Sequence, residues 1–296
     1  MPEPPANTTV LEAPAKINVG LRVLGRRPDG YHDLDTVIVP VSLHDTLTVH
    51  AYAGGGEFRT LSLALEVAGE PAVTHGVPVD ETNLVLRAAK ALADRHDVRG
   101  FAEFHLEKRI PHAAGLGGGS SDAAAALLAL NQLWGLGLRG RGLLEVAASV
   151  GSDVPALLAR VPVHVGARGE RVTVLHGDER PTLHELVLVT FDFGVRTAEA
   201  FAWWDGDGGP HAPPGAGPWA NDLEGPVTAR HPRIRDAADA LLAGGATAVA
   251  MSGSGPSLVG RFEPALPEAG TLAAVERIAG RPPLIASPWD EAEPTG

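Results

Sequence analysis

Four glycines in five positions, Gly115, Gly117, Gly118 and Gly119 around Leu116, constrain this chain more than any other stretch. They lie between segments of opposite periodicity. Ala102 to Leu106 alternates small or apolar with polar residues, as a strand does. Ala123 to Trp134 is an alanine- and leucine-rich run that stops at Gly135, as a helix does. Strand, glycine loop and helix start, in that order, put a run of backbone N–H groups at the positive end of a helix. Glycine lets the backbone take φ > 0 and bring its amides against a ligand with no side chain in the way. Phosphate suits such a site best. The plainer alternative is a turn before a helix capped by Ser120 or Ser121. A turn needs one or two glycines and further ones cost conformational entropy, so the anion site is the stronger reading.

Two familiar phosphate loops are excluded. A Walker loop needs Lys-Ser/Thr directly after its last glycine, whereas Ser120-Ser121 follow Gly119. A dinucleotide fingerprint needs glycines at relative positions one, three and six; Gly115 and Gly117 fit, but Ser120 takes the third place. Nor does an acidic residue close a second strand about 20 positions on, because Gly135 to Gly142 is turn-rich.

The 296 residues suffice for one large domain or two smaller ones with a real core. A formal net charge of −12 argues against nucleic acid as partner, since a phosphate backbone is held by dense lysine and arginine. A phosphate site must then be local, made by backbone amides and a few cations. Lysine occurs only at Lys16, Lys90 and Lys108, which draws attention to each. Absence of cysteine excludes disulfides and thiolate chemistry and fits the cytoplasmic location expected here. Met1 to Thr9 is proline-rich with no apolar core, unlike a signal peptide, and no stretch is long and apolar enough to span a membrane.

From the N-terminus, Val10 to Ala13 and Lys16 to Leu24 are expected as two short strands split by Pro14. In the second, Ile17, Val19, Leu21 and Val23 alternate with Lys16, Asn18, Gly20 and Arg22. Lys16 and Asn18 therefore point the same way, on a face that is either solvated or functional. Arg26 to Leu34 turns through Pro28-Asp29-Gly30 and displays Tyr31 and His32 at its exit. Thr36 to Val41, Asp45 to His50 and Leu61 to Val67 read as strands, Gly54-Gly55-Gly56 as a loop and Pro71 to Asp80 as irregular. Asn83 to Ala93 is an amphipathic helix capped by Thr82 or Asn83. After the central helix, Gly142 to Val150 is helical, and Asp153-Val154-Pro155 opens a further apolar helix. Taken alone, Ser152 or Asp153 is an N-cap there.

A Pro/Gly shift at Arg160 to Gly169 and a polar run at His176 to Pro181 mark a candidate domain junction, which divides the chain into 1–170 and 171–296. Beyond it, Glu185 to Thr190 is a strand, and Asp205 to Gly217 is a Gly/Pro/Asp-rich stretch expected to be mobile. Ile234 to Ala243 is a helix ended by Gly244-Gly245. Thr247 to Met251 and Ser257 to Phe262 are strands around a second glycine loop, Ser252-Gly253-Ser254-Gly255-Pro256, which reads as a tight hairpin. A helix at Leu272 to Ile278 and a short strand near Leu284 to Ala286 follow.

Ala13 to Leu21, Pro111 to Ala124 and Met251 to Ser257, in that order, resemble the motifs of the GHMP kinases, a family of ATP-dependent small-molecule kinases. Asp29-Gly30-Tyr31-His32-Asp33-Leu34, the Gly-Leu-Gly-Gly-Gly-Ser-Ser form of the loop and Ser152-Asp153-Val154-Pro155 narrow the resemblance. They point to a branch acting on an alcohol joined to cytidine diphosphate. Homoserine, mevalonate and galactose kinases are similar in the glycine loop but lack the Gly-Tyr-His element. His112, Val161 to Gly166 and the Asp205 to Gly217 insertion depart from the family pattern. The resemblance implies a two-domain α+β fold of mixed and antiparallel sheets with helices packed on them. It implies an N-terminal ATP-binding domain in 1–170, a C-terminal domain in 171–296 and an active site in the cleft between them. The implied activity is phosphorylation, by ATP with Mg²⁺, of the 2-hydroxyl of a cytidine-diphosphate-linked methylerythritol in non-mevalonate isoprenoid synthesis.

By the same resemblance, Asp153 is the acid–base partner of the substrate hydroxyl, and Lys16 lies beside it, bonding Asp153 and the transferring oxygen. Pro111, Ala114 and the loop Gly115, Leu116, Gly117, Gly118, Gly119, Ser120 and Ser121 bind ATP. The Ser121 hydroxyl is a phosphate or Mg²⁺ contact, and Asp122 faces away. Asn83 lies near the adenine. Tyr31 and Phe201 sandwich the cytosine, with His32 and Asn18 near its polar edge, and Gly253, Ser254 and Gly255 approach the substrate's diphosphate and methylerythritol end. Two alternatives stand: a GHMP kinase for another alcohol of the homoserine or mevalonate type, and a nucleotide-binding module without catalysis. The Tyr31-His32 pair speaks against the first, and Lys16 and Asp153 beside an intact loop against the second.

Overall fold

The computed structural model describes residues 7–54, 58–209, 217–263 and 265–289. In it Pro14 lies inside one strand, β1 (Asn7–Arg26), where two were expected. Proline's fixed φ is compatible with extended backbone, so a proline by itself does not end a strand. β2 (His32–Ala53) likewise joins the two segments read as separate, because Ser42-Leu43-His44 between them contains neither glycine nor proline. Both strands run through two compact units: Met1–Ala15, Leu43–His112 and Gly118–Ala159 make the first, and Lys16–Ser42, Ala113–Gly117 and Arg160–Gly296 the second. The units interleave along the chain.

In the first unit β2 is followed by β3 (Leu61–Gly69), α1 (Pro71–Thr74), α2 (Leu84–His96), β4 (Gly100–Lys108), α3 (Gly118–Leu133), α4 (Arg141–Val150) and α5 (Val154–Leu158). The short α1 forms in the stretch expected to be irregular, with Pro71 at its first turn, where a missing N–H costs nothing. β3 runs parallel to β4, pairing Leu65 with Phe104, and β2 antiparallel to it, pairing Leu47 with Leu106 and Val49 with Phe104. Alternation sends Leu47, Val49, Ala51, Ala102, Phe104 and Leu106 into one core with Leu92, Leu127 and Leu130. Ala123 to Ala126 are all buried, and their short side chains let α2 and α5 pack closely on α3.

In the second unit β5 (Val163–Ala167) and β6 (Arg171–Val174) precede β7 (Leu186–Val189), α6 (Thr197–Gly206), α7 (Glu224–Arg230), α8 (Pro232–Ala243), β8 (Ala248–Met251), β9 (Leu258–Arg261), α9 (Ala269–Ala279) and β10 (Leu284–Ala286). The shift at Arg160 to Gly169, read as a junction, carries β5, which pairs antiparallel with β2 (Thr36 opposite Val165) and with β6. The polar run after it forms a 3-10 turn at Gly177–Glu179. Strands in the order β10-β7-β9-β8, all antiparallel, make a second sheet, whose core joins Val187, Val189, Leu223, Val227, Ile234, Leu241 and Leu258. Of the insertion, Asp205 and Gly206 end α6, whereas residues 210–216 lie outside the described residues, as do Gly55 and Gly56.

Leu127 is fully buried in the first core. Leu127→Ala should lower stability by about 2–5 kcal/mol in urea denaturation. A loss well under about 1 kcal/mol would place this face of α3 outside the core.

Candidate active site

The glycine loop is anchored on its strand side by a buried ionic cluster. Asp45, on β2, accepts from Arg109 N–H (2.5 Å) and Ile110 N–H (2.9 Å) through one oxygen, and its other oxygen accepts from Lys108 Nζ. Lys108 Nζ also donates, at 2.8 Å, to Asp122, the fifth residue of α3. Asp45 is 0% exposed, Lys108 5% and Asp122 3%. Burial works against the Lys108 ammonium, but Asp122 and Asp45 outweigh it and raise its pKa. Burial, with Asp45 adding to it and Lys108 opposing, pushes the Asp122 carboxyl up to about 8. A proton on Asp122 leaves one carboxylate opposite one ammonium, the arrangement a dry site tolerates. Asp122 thus faces Lys108, in keeping with a residue turned away from a bound phosphate.

α3 begins at Gly118, so Ser120 and Ser121 lie inside its first turn and neither is the N-cap, which corrects the capping reading. The N–H groups of Gly118, Gly119 and Ser120, the first three residues of α3, have no acceptor within the helix. The glycines serve different ends. Gly115 has φ +76, and a Cβ there would meet Ser252 O at 2.6 Å and Gly255 O at 2.8 Å. At Gly118 it would meet Ile110 Cγ2 at 2.9 Å. Gly119 is exposed, and a Cβ there would touch only Leu84 Cδ1, at an ordinary 3.6 Å. Neither packing nor backbone conformation requires glycine at 119. Pro111, Ala114 and Leu116 are buried.

In the second unit, Lys16 and Asn18 do share a face. Lys16 Nζ donates to Asn18 Oδ1 (2.7 Å) and to Gly115 O (2.9 Å), and Asn18 Nδ2 donates to Thr36 Oγ1 (2.9 Å). The second glycine loop comes against the same group, since a Cβ at Gly253 would lie 2.8 Å from Lys16 Nζ. Asn221 Nδ2 holds that loop through Met251 O (2.7 Å) and Gly253 O (2.8 Å), and Ser254 Oγ meets Thr197 Oγ1 at 3.1 Å. Lys16, Asn18, Gly115 and Gly253 therefore converge. Tyr31 is 52% exposed, with the Arg168 guanidinium 3.8 Å over its ring. His32 stacks on Phe201 (4.7 Å, 18°).

Asp153 occupies the N-cap position of α5 in a helical conformation, φ −86 and ψ −16, and makes no side-chain capping bond, so the capping reading fails. Asn83 is the cap of α2, accepting from Val85 N–H at 2.9 Å while its Nδ2 donates to Pro78 O at 2.7 Å. Sequence reasoning missed Asp45, Thr36 and Asn221. Each acts on residues far away in the chain, and only the scarcity of lysine pointed at Lys108.

The family model described as GHMP kinases N terminal domain matches residues 83–160, and that described as GHMP kinases C terminal matches 215–278. The chain is 41% identical over 271 residues to the 4-diphosphocytidyl-2-C-methyl-D-erythritol kinase of Pelotomaculum thermopropionicum, covering 84% of this chain and 87% of that one. It is 39% identical over 290 residues to the protein of that name from Salinispora arenicola, covering 91% and 86%. A crystal structure of 4-(cytidine 5'-diphospho)-2C-methyl-D-erythritol kinase superposes with a TM-score of 0.72 at 31% identity, over 96% of this chain and 100% of that one. A homoserine kinase from Cytophaga hutchinsonii, at 17% identity and TM-score 0.67 over 95% and 94%, shares the fold. The chain belongs to the GHMP kinases and, within them, to the 4-diphosphocytidyl-2-C-methyl-D-erythritol kinase family.

The Asp122 carboxyl gives a signature of the buried cluster. Folded, it keeps its proton up to about 8, whereas unfolded it releases it near about 4. Between those values the folded state binds more protons, so this group's contribution to stability falls as pH rises and levels off above the window. Asp122→Asn should flatten the fall seen in urea denaturation between about pH 5 and about pH 8.5. The same pH dependence in both proteins would show that Asp122 is ionised throughout.

Proposed function

We propose that this chain transfers the γ-phosphoryl group of ATP to the 2-hydroxyl of 4-diphosphocytidyl-2-C-methyl-D-erythritol, in the cytoplasm. The observation that carries this reading is the start of α3: amides without helical acceptors, next to a glycine that nothing in the fold requires. In the family's terms, residues 1–170 form the ATP-binding domain and 171–296 the C-terminal domain. ATP lies on Pro111, Ala114 and the loop from Gly115 to Ser121, with the adenine near Asn83. Asn18, Tyr31, His32, Phe201 and Gly253 to Gly255 take the other substrate.

In the transfer, the substrate hydroxyl oxygen bonds to the γ-phosphorus, the bond from that phosphorus to the β–γ bridging oxygen breaks, and ADP leaves. The hydroxyl proton passes to the Asp153 carboxylate. A carboxylate is a weak base for an alcohol, so the proton moves late and orientation is the larger service. Lys16, with its ammonium held by Asn18 and Gly115, offsets negative charge on the transferring oxygens. Among the described residues no group of three or more His, Asp or Glu side chains forms a metal cage. Mg²⁺ would enter with ATP, and the Ser121 hydroxyl, near the start of α3, would be its protein contact. When bound, Mg²⁺ neutralises phosphate charge.

Asp153→Asn should keep the melting temperature and substrate affinity and lower kcat about 10²–10⁴-fold. Lys16→Met should act in the same way, and the double variant should fall far short of the product of the two losses. Near-normal kcat in Asp153→Asn would remove this residue from the reaction. Gly119→Ala should leave stability equal or slightly higher, since alanine favours helix by up to about 1 kcal/mol, yet raise KM for ATP. An unchanged KM would move the phosphates away from this turn.

A further inference from the structure

We propose that Asp205 sets the base preference of this enzyme by fixing which nitrogen of His32 carries the hydrogen, a proposal resting on the reading of His32 as a nucleobase contact. His32 Nε2 lies 2.8 Å from Asp205 Oδ1. A carboxylate can only accept, so in the neutral ring Nε2 bears the hydrogen and Nδ1 is left as an acceptor. Arg26 Nη1 lies 3.7 Å from the other Asp205 oxygen.

The ring is held as well as polarised. Phe201 stacks on it at 4.7 Å and 18°, and Trp204 meets it edge-on at 5.6 Å and 84°. Phe201, Trp204 and Asp205 stand at i, i+3 and i+4 of α6, so one helix face supplies the stack, the edge and the hydrogen-bond acceptor. His32 is 8% exposed, and a flip that exchanged its nitrogens would break the Asp205 bond. Cytosine presents an amino donor at its 4-position, where uracil presents a carbonyl oxygen. An acceptor at Nδ1 takes the first and faces the second lone pair to lone pair. Asp205 is therefore a positioning residue, acting through His32.

The test measures kcat and KM for cytidine- and uridine-diphosphate-linked methylerythritol at about pH 8, where imidazole is neutral, in the wild type and in His32→Ala, Asp205→Ala and Asp205→Asn. The wild type should prefer cytidine. Asp205→Ala should narrow the preference about tenfold or more, through KM rather than kcat. Asp205→Asn, whose amide oxygen still accepts, should restore part of it. A folded Asp205→Ala protein with the full preference overturns the inference. An undiminished preference in His32→Ala instead overturns the placement of His32 at the base, and the inference with it. Should Asp205→Ala fail to fold, a two-bond ¹⁵N–¹H spectrum of the wild type decides: hydrogen on Nε2 of His32 is expected, and hydrogen on Nδ1 contradicts the proposal.

Discussion

The buried contact of Lys108 with Asp45 and Asp122 ties the end of β4 to the N-terminal part of α3, and the glycine loop runs between these two fixed points. The loop packs through Ala114 and Leu116, and holding the direction of its backbone amides also requires fixed flanks. Asp45 does this directly by accepting two successive backbone N–H groups at the loop's entry. Burying three ionisable groups is costly, and removing one partner from such a cluster typically costs about 3–5 kcal/mol. The cluster makes sense as a device for position rather than for net stability.

The same economy explains how a chain of net charge −12 can take a polyanionic substrate. Helix-start amides carry partial positive charge without adding formal charge. Of the three lysines, Lys108 is neutralised inside the fold, Lys90 pairs with Asp94 on the surface, and Lys16 faces the second glycine loop, where the chemistry is assigned.

Local pattern made much of this legible in the sequence. The glycine loop, the alternation that sets Lys16 beside Asn18, the Asn83 cap and the hairpin around Gly253 all depend on neighbours a few residues apart. Backbone sterics and period-2 or period-3.6 spacing fix such features. Asp45 lies 63 residues from Lys108 and Asp205 173 from His32, and no periodicity reports a partner at that range. Asp153 marks a different limit: a carboxylate before Val-Pro at a helix start is the composition of a cap, and only the dihedral angles and the absent capping bond separate it from one. Pro14 was misread because proline's conflict is with a ladder hydrogen bond, and sequence does not say which N–H groups the ladder uses.

The most direct test of the central claim is ADP release by the purified protein with Mg-ATP and a panel of alcohols. Cytidine-diphosphate-linked methylerythritol should be turned over far faster than homoserine or mevalonate, with one phosphate gained at its 2-hydroxyl. Equal or faster turnover of homoserine or mevalonate would contradict the substrate assignment, and no ADP release with any of them would contradict the phosphoryl transfer itself.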